Sequence, residues 1–345
     1  MNGPQTFSAM TRSLVKKDIF ESQPLVLLDV GCSGGIAQFW HIFSPSLVAL
    51  GIDPVVNECE RLNALETNSK VRYRPAWLGL PDHHPFVQRR GNNPPWGRNP
   101  WDRLSAPLAI GILESLSNEK EKLHLLNLWQ EQKLAEPTSK IAVDDLVKEE
   151  NLSGLDFIKI DVDGDDLGVI LSASQIVHDS PVLGFILEVN FFGSPADTDH
   201  TFHNTDKLMR QWGFDLFDLS IRRYSAAALP APFEWEIPAQ TIFGRPYQGD
   251  ALYLRDPMVA NSTDWTQDQS LTRHKLLKLA CLYECFGLPD HAAELIKAKA
   301  HILGPLCDPQ ELLDILAIEV DPSVKSYSEY MNKFMSNPSS FYRSK

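Results

Sequence analysis

The sequence predicts an α/β fold: a mostly parallel sheet with helices on both faces, followed by a small C-terminal α-helical extension. Three observations predict it. Short, continuously apolar runs such as Leu25–Val30 (LVLLDV) and Leu47–Ile52 (LVALGI) have the pattern of strands buried on both faces. These runs alternate with helical segments, which implies right-handed βαβ crossovers. After Pro257 the alternation stops and only amphipathic helical patterning continues.

Taken in order, residues 1–20 read as a polar helical lead-in. Leu25–Val30 is the first strand, bounded by Pro24 and Gly31, and a Gly-rich turn leads into a helical segment from Ile36 to Phe43. Leu47–Ile52 is the second strand and ends on Asp53; a helix runs from Asn57 to Glu66, and Val71–Leu78 is the third strand. Residues 81–104 break the pattern: the segment HHPFVQRRGNNPPWGRNPWDR holds four Pro and two Trp with no period of 2 or 3.6, and it reads as a lid. Residues 112–134 read as a helix rich in Leu, Glu and Lys. Alternation resumes with a strand at Asp156–Val162, a helix at Asp166–Val177 and a strand at Val182–Val189. A helix over 203–212 and a strand at Phe214–Leu219 follow; residues 225–250 read as loop, and Ala251–Arg255 as the last strand. Residues 270–303 read as two helices joined at Gly287-Leu288-Pro289-Asp290, where Gly closes one and Pro-Asp opens the next. The chain is thus divided into a lead-in (1–21), an α/β domain (22–256, with an insertion or lid over 81–134) and a helical extension (257–345).

Composition narrows the class. The 345 residues are 43% apolar and 22% charged, ordinary for a soluble globular protein. No stretch is long and apolar enough for a membrane helix. The first twenty residues carry Arg12, Lys16, Lys17 and Asp18 and no apolar signal core, which points to the cytoplasm. Five cysteines without a CxxC pair read as reduced thiols, with Cys281 and Cys285 as small buried hydrophobes on one helix face. A net charge of −13 argues against a nucleic-acid partner. Should the basic clusters act, Arg89–Arg90 with Arg98 and Arg103, or Arg222–Arg223, would suit a phosphorylated or acidic small substrate better than a duplex.

Three acidic clusters sit at strand ends, where doubly wound sheets gather ligands. In Asp29-Val30-Gly31-Cys32-Ser33-Gly34-Gly35, glycine lets a ligand approach the backbone. The dinucleotide fingerprint G-x-G-x-x-G fails there, because Ser33 and Ile36 replace its second and third glycines. Asp29 suits the ammonium of a methionine moiety, and Asp53, one strand on, suits the ribose hydroxyls of an adenosine. The second cluster is Lys159-Ile160-Asp161-Val162-Asp163-Gly164-Asp165-Asp166. A calcium loop is rejected, since Asp166 and Ser172 stand where Gly and Glu are required. One Mg²⁺ on Asp161 and Asp163 remains an option, while Asp165 and Asp166 stabilise the next helix N-terminus. The third cluster is Glu188-Val189-Asn190, with His200 and His203 beyond it as candidate bases, and His83 and His84 of similar standing.

The turn LLDVGCSGG, the strand end IDP, the segment IAVDDL (141–146) and above all DFIKIDVDGDD (156–166) resemble the FkbM-type methyltransferases, over roughly residues 22–255. The resemblance implies a class I, Rossmann-like fold that binds S-adenosylmethionine and methylates oxygen on sugars or macrolide-like products. On that pattern Asp29, Gly31 and Gly34 match the cofactor turn, Asp53 the ribose ligand, and Lys159, Asp161 and Gly164 the strand–helix motif. Asp163 stands for the usual Glu, and Asp166 where a second Glu is common, which keeps the charge and shortens the reach. The cofactor set also takes in Cys32, Pro54, Ala76, Trp77 and Asp161; the catalytic set is Asp161, Glu188 and His203. The expected function is O-methylation of a sugar, glycan or related metabolite. The alternatives are a nicotinamide- or nucleotide-sugar-dependent oxidoreductase and a non-catalytic assembly module. The C-terminal helices are expected to mediate self-association or protein docking.

Overall fold

The computed structural model describes residues 7–115, 140–235, 238–258 and 269–342. The chain divides into two compact units. One comprises residues 28–35 and 49–254; the other comprises residues 1–27, 36–48 and 255–345.

The strands are β1 (Leu25–Val30), β2 (Leu47–Asp53), β3 (Val71–Pro75), β4 (Phe157–Ile160), β5 (Gly184–Asn190), β6 (Asp215–Tyr224) and β7 (Arg245–Leu254). They form one seven-stranded sheet in the order β3-β2-β1-β4-β5-β7-β6. β2–β3 and β4–β5 pair in parallel, whereas β7 runs antiparallel to both β5 and β6. Every residue of β1 is buried, as a strand covered on both faces requires. The order reverses between β1 and β4, so their C-terminal ends border the switch point where ligands bind in such sheets.

Several expected boundaries move. The third strand stops at Pro75 instead of Leu78; Leu78 makes only an isolated parallel bridge to Ile141. The turn at 38–43 is a 3-10 helix, not an α-helix from Ile36. The Pro/Trp-rich segment holds a short helix, α3 (Pro85–Arg90), following α1 (Ala9–Lys16) and α2 (Val56–Leu65). Pro85 occupies the first turn of α3, and the His84 ring accepts the Phe86 N–H at 3.2 Å. α4 (Ser105–Ser115) begins before the expected helix over 112–134, whose remainder lies outside the described residues.

The expected helix 166–177 is two. After α5 (Val143–Glu149) come α6 (Asp166–Leu171) and α7 (Ser174–Asp179), and the Asp144 carboxylate caps α7 by accepting Gln175 and Ile176 N–H at 3.0 and 2.8 Å. After α8 (Phe202–Gln211), the largest correction is the stretch read as loop over 225–250. Its second part belongs to β7, and β6 continues to Tyr224. Pro246 lies beyond the last β5 partner, Gln248, so its missing N–H costs no bond on that side. Gly249 is required by close packing, since a Cβ there would lie 2.7 Å from Ser220 O.

In the other unit, α9 (Gln269–Cys285) and α10 (Pro289–Ala298) form the expected pair of helices. α11 (Ala300–Leu303), α12 (Pro309–Val320) and α13 (Tyr327–Ser336) follow. Cys281 and Cys285 are buried, as small apolar residues would be. α1 joins this unit through buried Glu284, whose carboxylate accepts Met10 N–H, Thr11 N–H and the Thr11 hydroxyl at 2.8, 2.8 and 2.6 Å. Among the described residues no helix is long and apolar enough to cross a membrane.

Candidate functional site

The ends of β1, β2 and β4 carry a compact acidic cluster around one lysine. Lys159 Nζ donates to Gly31 O at 2.8 Å and lies 3.3 Å from Asp29 Oδ1 and 3.6 Å from Asp161 Oδ2. Burial pushes the Asp29 carboxyl up to about 6, against the pull of Lys159. Burial opposes the Lys159 charge, but Asp29 and Asp161 outweigh it and the ammonium is held above its ordinary range. Asp29 Oδ1 is buried, and the Lys159 ammonium 3.3 Å away is its counter-charge.

The glycine turn wraps this cluster. Gly31 has φ +79°, and a Cβ there would lie 1.8 Å from Asp161 O, so β1 and β4 converge only around a glycine. Gly31 and Cys32 N–H both donate to Ile52 O, tying the turn to β2. Burial, then the Asp29 charge, pushes the Cys32 thiol up, so it packs as a neutral wall. Gly34, φ +82°, is exposed with open space around it, and its N–H donates to Glu58 Oε1 at 3.0 Å. Asp53 is buried at the end of β2, and its Oδ1 accepts Val55 N–H at 2.8 Å. Pro54 follows it, and Ala76 N–H donates to Asp53 O at 3.1 Å, which brings Ala76 and half-buried Trp77 to the same edge.

The next edge of the sheet is built by the antiparallel register. Glu188 pairs with Asp250 and Asp250 with Ser220; Asn190 pairs with Gln248 and Gln248 with Arg222. Directly opposed residues share a face, as do residues two apart, so these side chains converge. Arg222 Nη2 donates to Glu188 Oε2 at 2.7 Å and to Asp250 Oδ1 at 3.1 Å, while Gln248 Nε2 donates to Glu188 Oε1 at 2.8 Å. Burial, then the Asp161 charge, pushes the Glu188 carboxyl up to about 8, against Arg222.

Glu188, Arg222 and Gln248 line a cavity of about 340 Å³ whose other walls are Trp96, Asn99, Trp101, Asp163, Gly164, Asn190, Phe192, Tyr224 and Tyr247. The two tryptophans of the Pro/Trp-rich segment therefore border it. Phe192 stacks on Tyr247 at 4.3 Å between centroids, and the Tyr247 hydroxyl donates to Asn99 Oδ1. The cavity combines flat apolar faces with a carboxylate and amides, the make-up of a small polar-ligand site.

The motif loop is braced from behind. Asp165 caps α6 through Gly168 N–H and takes both Arg90 nitrogens at 2.6 and 2.5 Å. Asp166 Oδ1 accepts Val162 N–H at 3.0 Å, and its Oδ2 lies 3.5 Å from His200 Nδ1; both side chains are wholly buried. His200 Nε2 lies 3.0 Å from Glu188 O and its Nδ1 3.1 Å from Asn190 Nδ2, so His200 holds the end of β5.

Of the expected catalytic residues, Asp161 and Glu188 are brought close together and His203 is not. His203 is exposed on the first turn of α8 and lines a different cavity, with Phe191, Ser194, Phe202 and Asn204. Among the described residues no group of three or more His, Cys, Asp or Glu is arranged to hold a metal, and Asp161 faces the Lys159 ammonium. Arg90 is buried and paired with Asp165, which removes it as a docking point for an anionic substrate; Arg222 is paired through Nη2 with Glu188 and Asp250 and still lines the cavity. Gln248 and Asp250 were hidden in the stretch read as loop; the alternation of Tyr247, Gly249, Ala251 and Tyr253 with polar residues was the signal that could have found them.

Residues 51–216 match the family model of the methyltransferase FkbM domain, the family the sequence resembles. No curated protein matches the chain. Similar solved structures include magnesium protoporphyrin IX methyltransferase from Synechocystis PCC 6803 with bound S-adenosylmethionine, at 10% identity, 71% of this chain, 80% of that chain and a TM-score of 0.29. A TehB-like methyltransferase from Corynebacterium glutamicum is 9% identical over 71% of this chain and 87% of that one, with a TM-score of 0.27. A methyltransferase from Aquifex aeolicus is 10% identical over 72% and 90%, with a TM-score of 0.29.

Proposed function

We propose that this chain, which carries an FkbM methyltransferase domain on a class I methyltransferase fold, methylates a hydroxyl oxygen of a sugar, glycan or related small metabolite. The observation that carries the reading is the Glu188 cavity. It lies beside the Asp29–Gly31–Asp161 cluster and joins aromatic faces to a carboxylate whose proton affinity is raised.

The residues present fit S-adenosylmethionine. Asp29, a carboxylate at the end of β1, suits an ammonium group; Gly31 and Gly34 keep the turn open; Asp53 suits ribose hydroxyls. Cys32, Pro54, Ala76 and Trp77 complete that edge. Bound there, the cofactor supplies an activated methyl group. Glu188 accepts the proton of the acceptor hydroxyl, with Arg222 and Gln248 fixing the carboxylate. Asp161 raises the proton affinity of Glu188 and, through Lys159, sets the spacing of β1 and β4. The aromatic walls exclude water and orient the acceptor.

Calorimetric titration tests the cofactor: S-adenosylhomocysteine and NAD, each with and without Mg²⁺. Micromolar binding of the first, lost in Asp53→Ala, is the expected result. Binding of NAD instead would move the chain to redox chemistry, and binding without turnover on any acceptor would favour an assembly module.

A further inference from the structure

A second cavity adjoins the Glu188 cavity. Its volume is about 400 Å³, against about 340 Å³ for the first, and Asn190 and Phe192 line both. The rings of Phe191 and Phe202 meet at 5.6 Å between centroids on its wall. Ser194 and His203 add polar edges, and none of its lining residues is Asp, Glu, Lys or Arg. Its rim is preorganised: Ser194 N–H donates to Asp199 Oδ2 at 2.7 Å, and Asn204 Nδ2 donates to Ala196 O and Asp199 O, both at 2.8 Å. Asn190 is 4% exposed; its Nδ2 donates to His200 O, and its Oδ1 has no hydrogen-bond partner. An acceptor buried in that way is costly until a donor reaches it.

We propose that this second cavity is an acceptor subsite, and that the acceptor is an uncharged glycan of at least two sugar rings passing Phe192. The inference rests on the hydroxyl-acceptor reading above and names its substrate class. Aromatic faces suit the C–H face of a sugar ring, and the amide, hydroxyl and imidazole edges suit its hydroxyls. A phosphate or uronate would require a cation, and the second cavity offers none: its lining has no Lys or Arg, while in the first Arg222 already faces the carboxylates of Glu188 and Asp250. Phe192, stacked on Tyr247 at 4.3 Å, forms the partition between the two rings.

The test is methyl transfer by the full chain to methyl glycosides of glucose, galactose, mannose and rhamnose, beside disaccharides of the same sugars. The expected result is a kcat/KM for at least one disaccharide about tenfold or more above its monosaccharide, equivalent to about 1.4 kcal/mol. Ser194→Trp, which fills the cavity, and Phe202→Ala, which removes a face, are each expected to bring that ratio close to one. The ratio is read within each protein, so partial misfolding, which scales both rates alike, does not mimic the effect. Equal use of mono- and disaccharides by the unaltered protein overturns the second subsite alone, as does a ratio that both variants leave in place. Transfer to none of the sugars overturns the acceptor reading and the subsite with it.

Discussion

At the scale of single residues, chemistry depends on groups held away from their ordinary states. Glu188 is pushed up to about 8 by burial and then by Asp161, so as a proton acceptor it works only when deprotonated. Methyl transfer is therefore expected to rise with pH through about 8 and then level off, read from kcat/KM across the pH range. Glu188→Gln is expected to lower kcat by about 10²–10⁴-fold and to flatten that rise; a profile unchanged in the variant would remove Glu188 from the reaction. Gly31 fails for a different reason. A Cβ there would lie 1.8 Å from Asp161 O at a φ of +79°, so Gly31→Ala is expected to lower the melting temperature and weaken S-adenosylhomocysteine binding together. Both residues were legible in the sequence, because a strand-end carboxylate and a glycine turn are local signals. His200 was legible only as a loop histidine; its place behind Glu188 and Asn190 comes from contacts that no spacing encodes.

Elements show where local pattern gives way to neighbours. The β1 and β2 strands stand where their apolar runs place them, since strands buried on both faces need no partner to be recognised. The helix expected over 166–177 breaks because Asp144, from α5, caps a new helix start at Ser174. β7 was missed because Pro246 and Gly249 read as breakers, although Pro246 lies past the last β5 partner and Gly249 answers the close approach of β6. α3 is fastened to the motif loop by Arg90, 6% exposed, and its two bonds to Asp165. Arg90→Ala leaves that carboxylate unpaired and is expected to cost about 3–5 kcal/mol in denaturant unfolding. A loss under about 1 kcal/mol would show the pair to be merely a surface contact.

At the scale of the whole molecule, the chain's two units are interleaved in sequence. Residues from the start of the chain pack in one unit with residues near its end: Glu284 holds α1 through Met10 and Thr11, and Glu319 Oε1 accepts Ser8 and Ala9 N–H at 2.8 and 3.0 Å. Leu14 is fully buried there. Leu14→Ala is expected to cost about 2–5 kcal/mol and to speed amide exchange along α9 as well as α1. Exchange confined to α1 would mean that the N-terminal helix frays alone.

The sequence alone determined the α/β class, the positions of most strands along the chain, the turn glycines and the acidic strand ends that point to S-adenosylmethionine. Each is written in short-range signals, where the side-chain period and a glycine's φ act within a few residues. Only the tertiary structure decided which polar groups meet. The Glu188–Arg222–Asp250–Gln248 cluster joins three strands through antiparallel register, and Trp96 and Trp101 reach the same cavity from a segment without any period. Register and long-range closure are set by the packing of the whole sheet, so no window of sequence contains them.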